Sequence, residues 1–272
     1  MPELPEVETV ANGVNARVRG QRIEQVWLSR HKEPFKTSRA EMADALPGER
    51  IERVYREGKH IVFDLRKGKT KSQWVVHLGM TGRLLVSAAE VPVPDHTHAV
   101  LGLSGGRELR FVDTRRFGRL ALHRVTDGAG FRGPGREPLS ISAEDFVALF
   151  RGRRLSIKAA LLNQRLLHGV GNIYADESLF RAGIRPTSVA GRLSRARLLR
   201  LHAALREILR KAIELGGSSV SDYVDADGVA GFFQLEHRVY MRTGEPCLVC
   251  GKPIHRIVLA GRGTHFCPHC QR

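Results

Sequence analysis

Cys247-Leu248-Val249-Cys250 and Cys267-Pro268-His269-Cys270 contain all four cysteines of the chain, and sixteen residues separate the two pairs. This spacing is typical of a zinc ribbon. Each C-x-x-C pair supplies two thiolates from one tight turn, and two such turns at the ends of a hairpin complete a tetrahedral site for one Zn²⁺ with no position open to a substrate. The metal is therefore predicted to be structural. Two disulfides are the alternative, which a reducing compartment disfavours.

The composition indicates a folded, strongly basic protein. Of 272 residues, 42% are apolar, which suits a chain with sizeable cores, and 44 Lys+Arg against 28 Asp+Glu leave a net charge of +16. This charge predicts a polyanionic partner, nucleic acid in the first place and an anionic membrane as the alternative. No apolar run approaches the ~20 residues of a membrane span, and the acidic N-terminus does not resemble a signal peptide. A cytosolic protein is expected.

The region before the cysteines has helical patterns. Ser142-x-x-Asp145 predicts the start of a short helix, 157–167 predicts another, and 194–215 predicts a long helix that stops at Gly216-Gly217. The apolar face of the long helix consists of Leu198, Leu201, Leu205, Ile208, Ala212 and Leu215. We interpret its many arginines as a solvated face. A helical domain over 131–240 and a zinc finger over 241–272 follow from these patterns.

The first 130 residues have a different pattern. Val7, Val10, Val14 and Val18 lie on one face of a predicted helix that stops at Gly20. Short alternating segments then predict strands at 22–28, 51–56, 60–65, 74–78, 98–103, 108–112 and 120–125. Together they indicate a β-sandwich of about eight strands with the helix on its side, over residues 1–130. The Gly/Pro-rich segment 128–138 is predicted to be a linker.

The N-terminus, Met1-Pro2-Glu3-Leu4-Pro5-Glu6, contains a possible nucleophile. Removal of Met1 would expose Pro2 as a secondary amine, and an α-amino group titrates near pH ~8, so it can react at neutral pH. Condensation at C1′ of a deoxyribose would give an iminium, an electron sink for further bond breaking, beside the Glu3 carboxylate. The alternative is that this stretch only starts a helix, with Pro5 in the first turn and Glu6 favoured by the dipole.

A third motif lies between two predicted helices, where Leu161-Leu162-Asn163-Gln164 precedes His168-Gly169-Val170-Gly171-Asn172-Ile173-Tyr174-Ala175-Asp176-Glu177. Backbone amides and the Asn172 side chain at such a turn can bind one phosphate. The N-terminal, central and C-terminal motifs together resemble the bacterial formamidopyrimidine-DNA glycosylase family (Fpg/MutM) of the Fpg/Nei group. The resemblance spans the whole chain. It implies an α+β multidomain fold: an N-terminal β-sandwich with flanking helices, a helix–two-turn–helix domain and a four-cysteine zinc-finger hairpin.

The resemblance also implies an activity. Members of this family are bifunctional DNA glycosylases and AP lyases, which excise oxidised purines such as 8-oxoguanine and formamidopyrimidines and then cut the strand by β,δ-elimination. The expected partner is double-stranded DNA containing oxidised bases, the expected state is a monomer, and the expected location is the bacterial cytosol with the nucleoid. By motif, Pro2 corresponds to the nucleophile and Glu3 to the general acid/base.

Further positions take roles from the resemblance, each with a plainer alternative. Lys59, at a predicted hairpin tip, is similar to the family's lysine at the lesion, or it is an exposed turn lysine. Glu6 is similar to a carboxylate near the lesion. Arg262, at the tip of the zinc hairpin, resembles an arginine that grips phosphates. His98 resembles a DNA-contacting histidine, or it is an ordinary strand-edge histidine.

A glycosylase must rotate its target base out of the stack, and the hole that remains must be filled. Met80, in His77-Leu78-Gly79-Met80-Thr81-Gly82, and Arg115 with Phe117, in Asp113-Thr114-Arg115-Arg116-Phe117-Gly118, resemble the family's void-filling trio. Core packing is the alternative for Met80 and Phe117. The glycines around Met80 favour an exposed loop tip.

Two positions depart from the family pattern, since Asn163 replaces a common Asp and His168 replaces a small residue. These changes put the local packing of the turn in question. Residues 217–234, similar to the family's lesion-cradling loop, predict no particular base contacts. One rival function is an endonuclease VIII-like glycosylase for oxidised pyrimidines, which Leu4 and the void-filling trio disfavour. Another is a non-catalytic damaged-DNA binder, which Pro2, Glu3 and Lys59 disfavour.

Overall fold

The computed structural model describes residues 1–126, 129–219 and 223–272. The chain folds into two compact units, one of residues 1–132 with 216–231 and one of residues 133–215 with 232–272. Gly128, where the predicted linker begins, and residues 220–222 of the predicted lesion loop lie outside the described residues. Residues 216–231 thus pack with the first unit although they follow the long helix in sequence.

The first unit is a sandwich of two antiparallel four-stranded sheets. One sheet has the order β1-β6-β7-β5, formed by Ile23–Leu28, Thr97–Leu103, Arg107–Val112 and Arg83–Ala88. The other has the order β2-β3-β4-β8, formed by Arg50–Glu57, His60–Lys67, Thr70–His77 and Arg119–Arg124. Alternating apolar residues of both sheets contribute to one core cluster, which includes Phe63, Trp74, Leu101 and Phe111.

Two helices accompany the sandwich, α1 (Leu4–Val18) and α2 (Arg39–Ala45). The valines that predicted α1 are all buried in the same cluster as the sheets. The α1 helix packs on β2, where the Asn15 side chain accepts a hydrogen bond from the Val54 amide at 2.8 Å. The predicted β-sandwich with a helix on its side is confirmed. The strand β5 and the helix α2 were not predicted.

The second unit contains four α-helices among its described residues: α3 (Ala143–Phe150), α4 (Ile157–Leu162), α5 (Asn172–Arg181) and α6 (Arg195–Glu214). Ser142, Ser156 and Ser194 cap three of them, since each side chain accepts a hydrogen bond from the amide three residues later. The apolar face of α6 is buried against α3 and α5. Strands β9 (His255–Leu259) and β10 (Arg262–Phe266) form the zinc-finger hairpin.

One predicted helix is too long. The segment 157–167 is helical only to Leu162, because the Asn163 backbone is extended (φ −74°, ψ 103°). No helix in the described part of the chain has the length and apolar composition that a membrane crossing requires.

Candidate active site and nucleic-acid interface

The N-terminal turn of α1 holds two of the predicted site residues in a fixed arrangement. Glu3 is its N-cap, and the Glu3 carboxylate accepts a hydrogen bond from the Glu6 amide. In return the Glu6 carboxylate accepts one from the Glu3 amide at 2.8 Å. Pro2 and Glu3 are both buried, whereas Met1 is 47% exposed. This capping box therefore fixes the side chain of Glu3, the residue that follows Pro2, on the first turn of α1.

Lys59 lies at the turn between β2 and β3, where Glu57 pairs with His60 and Gly58 has a positive φ of 62°. Its neighbour Arg56 bonds to Glu8 of α1 at 2.6 Å and donates to the Gly58 carbonyl at 3.3 Å. Arg56 thus ties the hairpin tip to the first half of α1. Lys59 is only 8% exposed, so it is not the solvated turn lysine of the alternative reading.

Glu6 also connects the N-terminal turn to the segment after α6. Its second carboxylate oxygen accepts a hydrogen bond from the Ser218 amide at 2.8 Å, and the Tyr223 hydroxyl donates to the Gly216 carbonyl at 3.0 Å. Gly217 has a φ of +83°, and a Cβ there would lie 2.9 Å from the Glu6 side chain. Burial raises the pKa of Tyr223, which keeps its hydroxyl a donor. The Tyr223 hydroxyl also donates to the Glu6 carbonyl at 3.3 Å, so Ser218 and Tyr223 both connect the candidate lesion loop to α1.

The three predicted void-filling residues lie on two adjoining loops. Met80 is 40% and Phe117 46% exposed, and the Arg115 guanidinium lies 4.8 Å from the Phe117 ring centroid. Neither apolar side chain is part of the sandwich core. The two loops meet backbone to backbone, because a Cβ on Gly79 would lie 2.5 Å from the amide nitrogen of Gly118.

Asp113, whose role no sequence motif indicated, joins these two loops. Its fully buried carboxylate accepts hydrogen bonds from the Thr81 hydroxyl at 2.5 Å, the Arg115 amide at 3.2 Å and the Gly118 amide at 2.7 Å. Three donors satisfy the hydrogen-bonding capacity that this carboxylate would otherwise meet with water. Asp113 therefore holds the Met80 loop and the Phe117 loop in one arrangement.

His77 is a second residue that sequence reasoning missed. Burial, together with the neighbouring His60, Lys59 and Arg119, lowers its pKa to about 4. Its Nδ1 accepts a hydrogen bond from the Gly79 amide at 3.1 Å. A neutral imidazole with Nδ1 as acceptor carries its proton on Nε2, so His77 offers one N–H donor beside the positive charge of Lys59.

The structure places His98 differently from its predicted role. The ring is 2% exposed, Nδ1 bonds to the Ser29 hydroxyl at 3.1 Å, and Nε2 bonds to the Asp113 carbonyl at 2.9 Å. In this conformation His98 connects Ser29 to Asp113 inside the first unit, and its ring is not exposed for contact with a nucleic acid. His96 is the exposed histidine of the same segment, presented by a left-handed backbone (φ 62°).

Asn172 begins α5, and the extended Gly171 is its N-cap. Gln164 organises the preceding turn, because its amide donates to the Val170 carbonyl at 2.8 Å and accepts from the Gly169 amide at 2.9 Å. The two departures from the family pattern fit this turn: the Asn163 side chain accepts from the Arg165 amide at 3.0 Å, and His168 is buried beside Glu137. The helix start remains a suitable anion site.

Arg262 is exposed at the first position of β10. The turn before it consists of Ala260 and Gly261, with φ values of 50° and 70°, which match a two-residue hairpin turn. The guanidinium therefore projects from a short, well-defined hairpin and not from a free loop.

The four cysteines come together as predicted. Their sulfur atoms all lie within 4.8 Å of one another, with Cys250 and Cys267 at 3.4 Å and Cys247 and Cys270 at 3.9 Å. Four ligands at the Zn–S distance of about 2.3 Å in a tetrahedron would be separated by about 3.8 Å, so the cluster fits one Zn²⁺. All four positions would be taken by protein, which makes this zinc structural.

Family models match almost the whole chain in three consecutive parts. The formamidopyrimidine-DNA glycosylase N-terminal domain matches residues 1–120, the formamidopyrimidine-DNA glycosylase H2TH domain matches 134–224, and the zinc finger found in FPG and IleRS matches 244–272. Among curated relatives, the formamidopyrimidine-DNA glycosylase of Solibacter usitatus (strain Ellin6076) is 46% identical over 276 residues, which cover 100% of both chains.

Solved structures give the same result. The MutM (Fpg) protein from Thermus thermophilus is 44% identical with a TM-score of 0.86, over 99% of this chain and 98% of that one. The Lactococcus lactis Fpg in complex with DNA containing an abasic site is 35% identical with a TM-score of 0.89, over 99% of each chain. The resemblance seen in the three sequence motifs is thereby confirmed over the full length, and the chain belongs to the formamidopyrimidine-DNA glycosylase family, enzymes of base excision repair with DNA glycosylase and AP lyase activity.

Proposed function

We propose that this chain excises oxidised purines from duplex DNA with Pro2 as its nucleophile and then cleaves the strand by β,δ-elimination. The observation that supports this assignment is the capping box at the start of α1, which fixes the side chain of Glu3, the residue next to Pro2. The substrate is proposed from the relatives, one of which is a Lactococcus lactis Fpg mutant in complex with DNA that contains Fapy-dG.

In this proposal the lone pair of the Pro2 amine attacks C1′, and the bond from C1′ to the base breaks with its electron pair going to the base. Glu3 takes the proton that the Pro2 nitrogen loses and gives it to the ring oxygen as the bond from C1′ to that oxygen breaks, which leaves an iminium between nitrogen and C1′. The iminium makes the C2′ proton acidic, and loss of this proton breaks the C3′–O bond and expels the 3′ phosphate. Loss of a proton from C4′ then breaks the C5′–O bond and expels the 5′ phosphate, and water hydrolyses the iminium to release the sugar fragment from Pro2. Lys59 and the Nε2–H of His77 are proposed to bind phosphate next to the lesion.

Other residues are proposed to hold the opened duplex. Met80 and Phe117 fill the space of the extruded nucleotide, and Arg115 hydrogen-bonds the base left unpaired. Glu6 and the 217–234 loop lie at the lesion, while Asn172 and Arg262 bind backbone phosphates. His96 is proposed in place of His98 as the histidine that contacts DNA. The chain is proposed to act as a monomer in the bacterial cytosol, at the nucleoid.

The test is incubation of the purified, zinc-loaded protein with labelled duplexes, followed by a denaturing gel. We expect cleavage of duplexes that contain 8-oxoguanine, formamidopyrimidine or an abasic site, with phosphates on both ends of the gap. Preferred cleavage of a duplex with an oxidised pyrimidine would indicate endonuclease VIII-like specificity instead. Binding without cleavage of the abasic duplex would show a non-catalytic damage binder.

A further inference from the structure

A buried polar cluster in the second unit contacts the three residues that follow Arg262 in β10. Lys158 of α4, Asp176 of α5 and Thr264 of β10 are all 0% exposed. The Lys158 ammonium lies 2.7 Å from one carboxylate oxygen of Asp176 and donates to the Thr264 hydroxyl at 2.8 Å. The other oxygen of Asp176 accepts a hydrogen bond from the His265 amide at 2.8 Å.

The cluster converges on the backbone next to Arg262. The carbonyl oxygen of Gly263 accepts two hydrogen bonds, one from the Lys158 ammonium at 3.0 Å and one from the Asn172 side-chain amide at 2.9 Å. Three consecutive residues after Arg262 are therefore held by side chains of α4 and α5. One of these side chains belongs to Asn172, which is itself a candidate phosphate ligand.

A buried ion pair is poor evidence of a gain in stability. Removing two charges from water is costly, and well-packed apolar residues of similar volume are often as stabilising as the pair. An ion pair differs from apolar packing in its geometric specificity, because its hydrogen bonds fix the position of the backbone groups that they contact. Here that backbone is the strand that begins with Arg262.

We propose that the Lys158–Asp176 pair is a positioning device that joins Arg262 of the zinc hairpin and Asn172 of the helix–two-turn–helix element into one phosphate-binding unit. This inference rests on the proposed roles of Arg262 and Asn172 as phosphate ligands. Lys158 and Asp176 do not contact DNA themselves. They act through the Gly263 carbonyl, the Thr264 hydroxyl and the His265 amide.

The experiment is a double-mutant cycle on the full, zinc-loaded chain, with Arg262→Ala, Asp176→Asn and both together. Dissociation constants are measured for a duplex with a tetrahydrofuran abasic analogue at several salt concentrations, and zinc content is measured for each variant. Arg262→Ala should weaken binding by about 10- to 100-fold and reduce the salt slope by about 1. Asp176→Asn should keep one zinc, and it should show most of the loss of affinity and most of the reduction in salt slope. In the Asp176→Asn background, Arg262→Ala should then add little.

Asp176→Asn leaves the Lys158 charge buried without its anion, so a second variant guards against unfolding. Lys158→Met with Asp176→Leu replaces the pair by apolar side chains and leaves no unpaired charge, so we expect a smaller drop in the thermal midpoint than in Asp176→Asn but the same loss of coupling to Arg262. Glu207→Gln is the matched control. It removes an exposed ion pair between α5 and α6, with Arg181, and should leave the effect of Arg262→Ala unchanged.

The outcomes separate this inference from the roles on which it rests. If the fold-changes of Arg262→Ala and of the pair variants multiply, Lys158 and Asp176 have a structural role alone and the inference is wrong. If Arg262→Ala has no effect in the wild-type background, both the phosphate role of Arg262 and the inference are wrong. In addition, we expect the 262–266 amides to exchange hydrogen faster in the variant with the apolar pair than in the wild type. Exchange at the wild-type rate would also overturn the inference.

Discussion

At the scale of single residues, the proposed chemistry depends on whether the Pro2 nitrogen is an amine or an amide. We predict that borohydride traps a covalent complex between the enzyme and an abasic duplex when Met1 has been removed. The same protein with an N-terminal extension that retains Met1 should trap at least about 100-fold less, since an amide nitrogen has no basic lone pair. Pro2→Gly, which keeps a primary amine, is the control for the changed side chain. Undiminished trapping with Met1 attached would remove Pro2 from the mechanism.

His77 allows a second prediction at this scale. A histidine titrates near pH 6.5 when unfolded, whereas burial lowers the folded pKa of His77 to about 4. The neutral ring therefore stabilises the fold fully above pH 6.5, and this contribution, at most about 3 kcal/mol, is lost as the pH falls through 4. Thermal midpoints between pH 7.5 and 4.5 should fall less steeply for His77→Gln than for the wild type. The exposed His123 on β8 is the matched control, and His123→Gln should keep the wild-type slope.

At the scale of elements, the loops that follow β4 and β7 allow a test of two roles for Met80 and Phe117. In the wedge role they fill the space of the extruded nucleotide, and in the core role they pack inside the fold. Met80 and Phe117 are about half exposed, so Met80→Ala and Phe117→Ala should change the thermal midpoint little, whereas a core residue would cost roughly 2–5 kcal/mol. Excision of 8-oxoguanine should fall strongly, because extrusion costs a few kcal/mol, and cleavage of a pre-formed abasic site should fall less. A large drop in melting temperature with equal loss on both substrates would contradict the wedge role.

The same two loops give a prediction for Asp113, which holds them together. Asp113→Asn removes the charge from a carboxylate with three donors, one of which, the Gly118 amide, lies at 2.7 Å. We expect a loss of about 2–4 kcal/mol in the free energy of unfolding. Activity on the 8-oxoguanine duplex and on the abasic duplex should fall in parallel. Denaturant unfolding combined with the two-substrate assay measures this, and Asp95→Asn on the exposed loop before β6 is the control. Wild-type stability of Asp113→Asn would show that the loops do not depend on this carboxylate.

At the scale of the whole molecule, the zinc module and the sandwich have separate cores. The apolar cluster around the cysteines includes Val239 and Ile254, and the sandwich cluster contains no cysteine. Cys267→Ser should therefore release zinc and abolish specific DNA binding while most of the fold survives, seen as a near-wild-type far-UV spectrum and one remaining cooperative transition. Metal analysis that finds no zinc in active, untreated protein would contradict this prediction.

The sequence by itself determined the features whose physics is local. Two C-x-x-C turns at the right spacing predict a metal site, the spacing of the valines predicts the buried face of α1, and Ser142-x-x-Asp145 predicts the start of α3. The ribbon, the sandwich with its helix and the long α6 followed from such patterns. The end of α4 was misplaced because Leu166 and Leu167 continue the apolar pattern while the Asn163 backbone leaves the helix.

Only the tertiary structure decided which side chains meet. His96 and His98 lie two residues apart, yet one is exposed and the other bonds to Ser29 from a distant strand end. Asp113 becomes the link between two loops because Thr81, from another hairpin, reaches it. The burial and hydrogen bonds of such residues depend on contacts between segments far apart in the chain, which no local periodicity or spacing encodes.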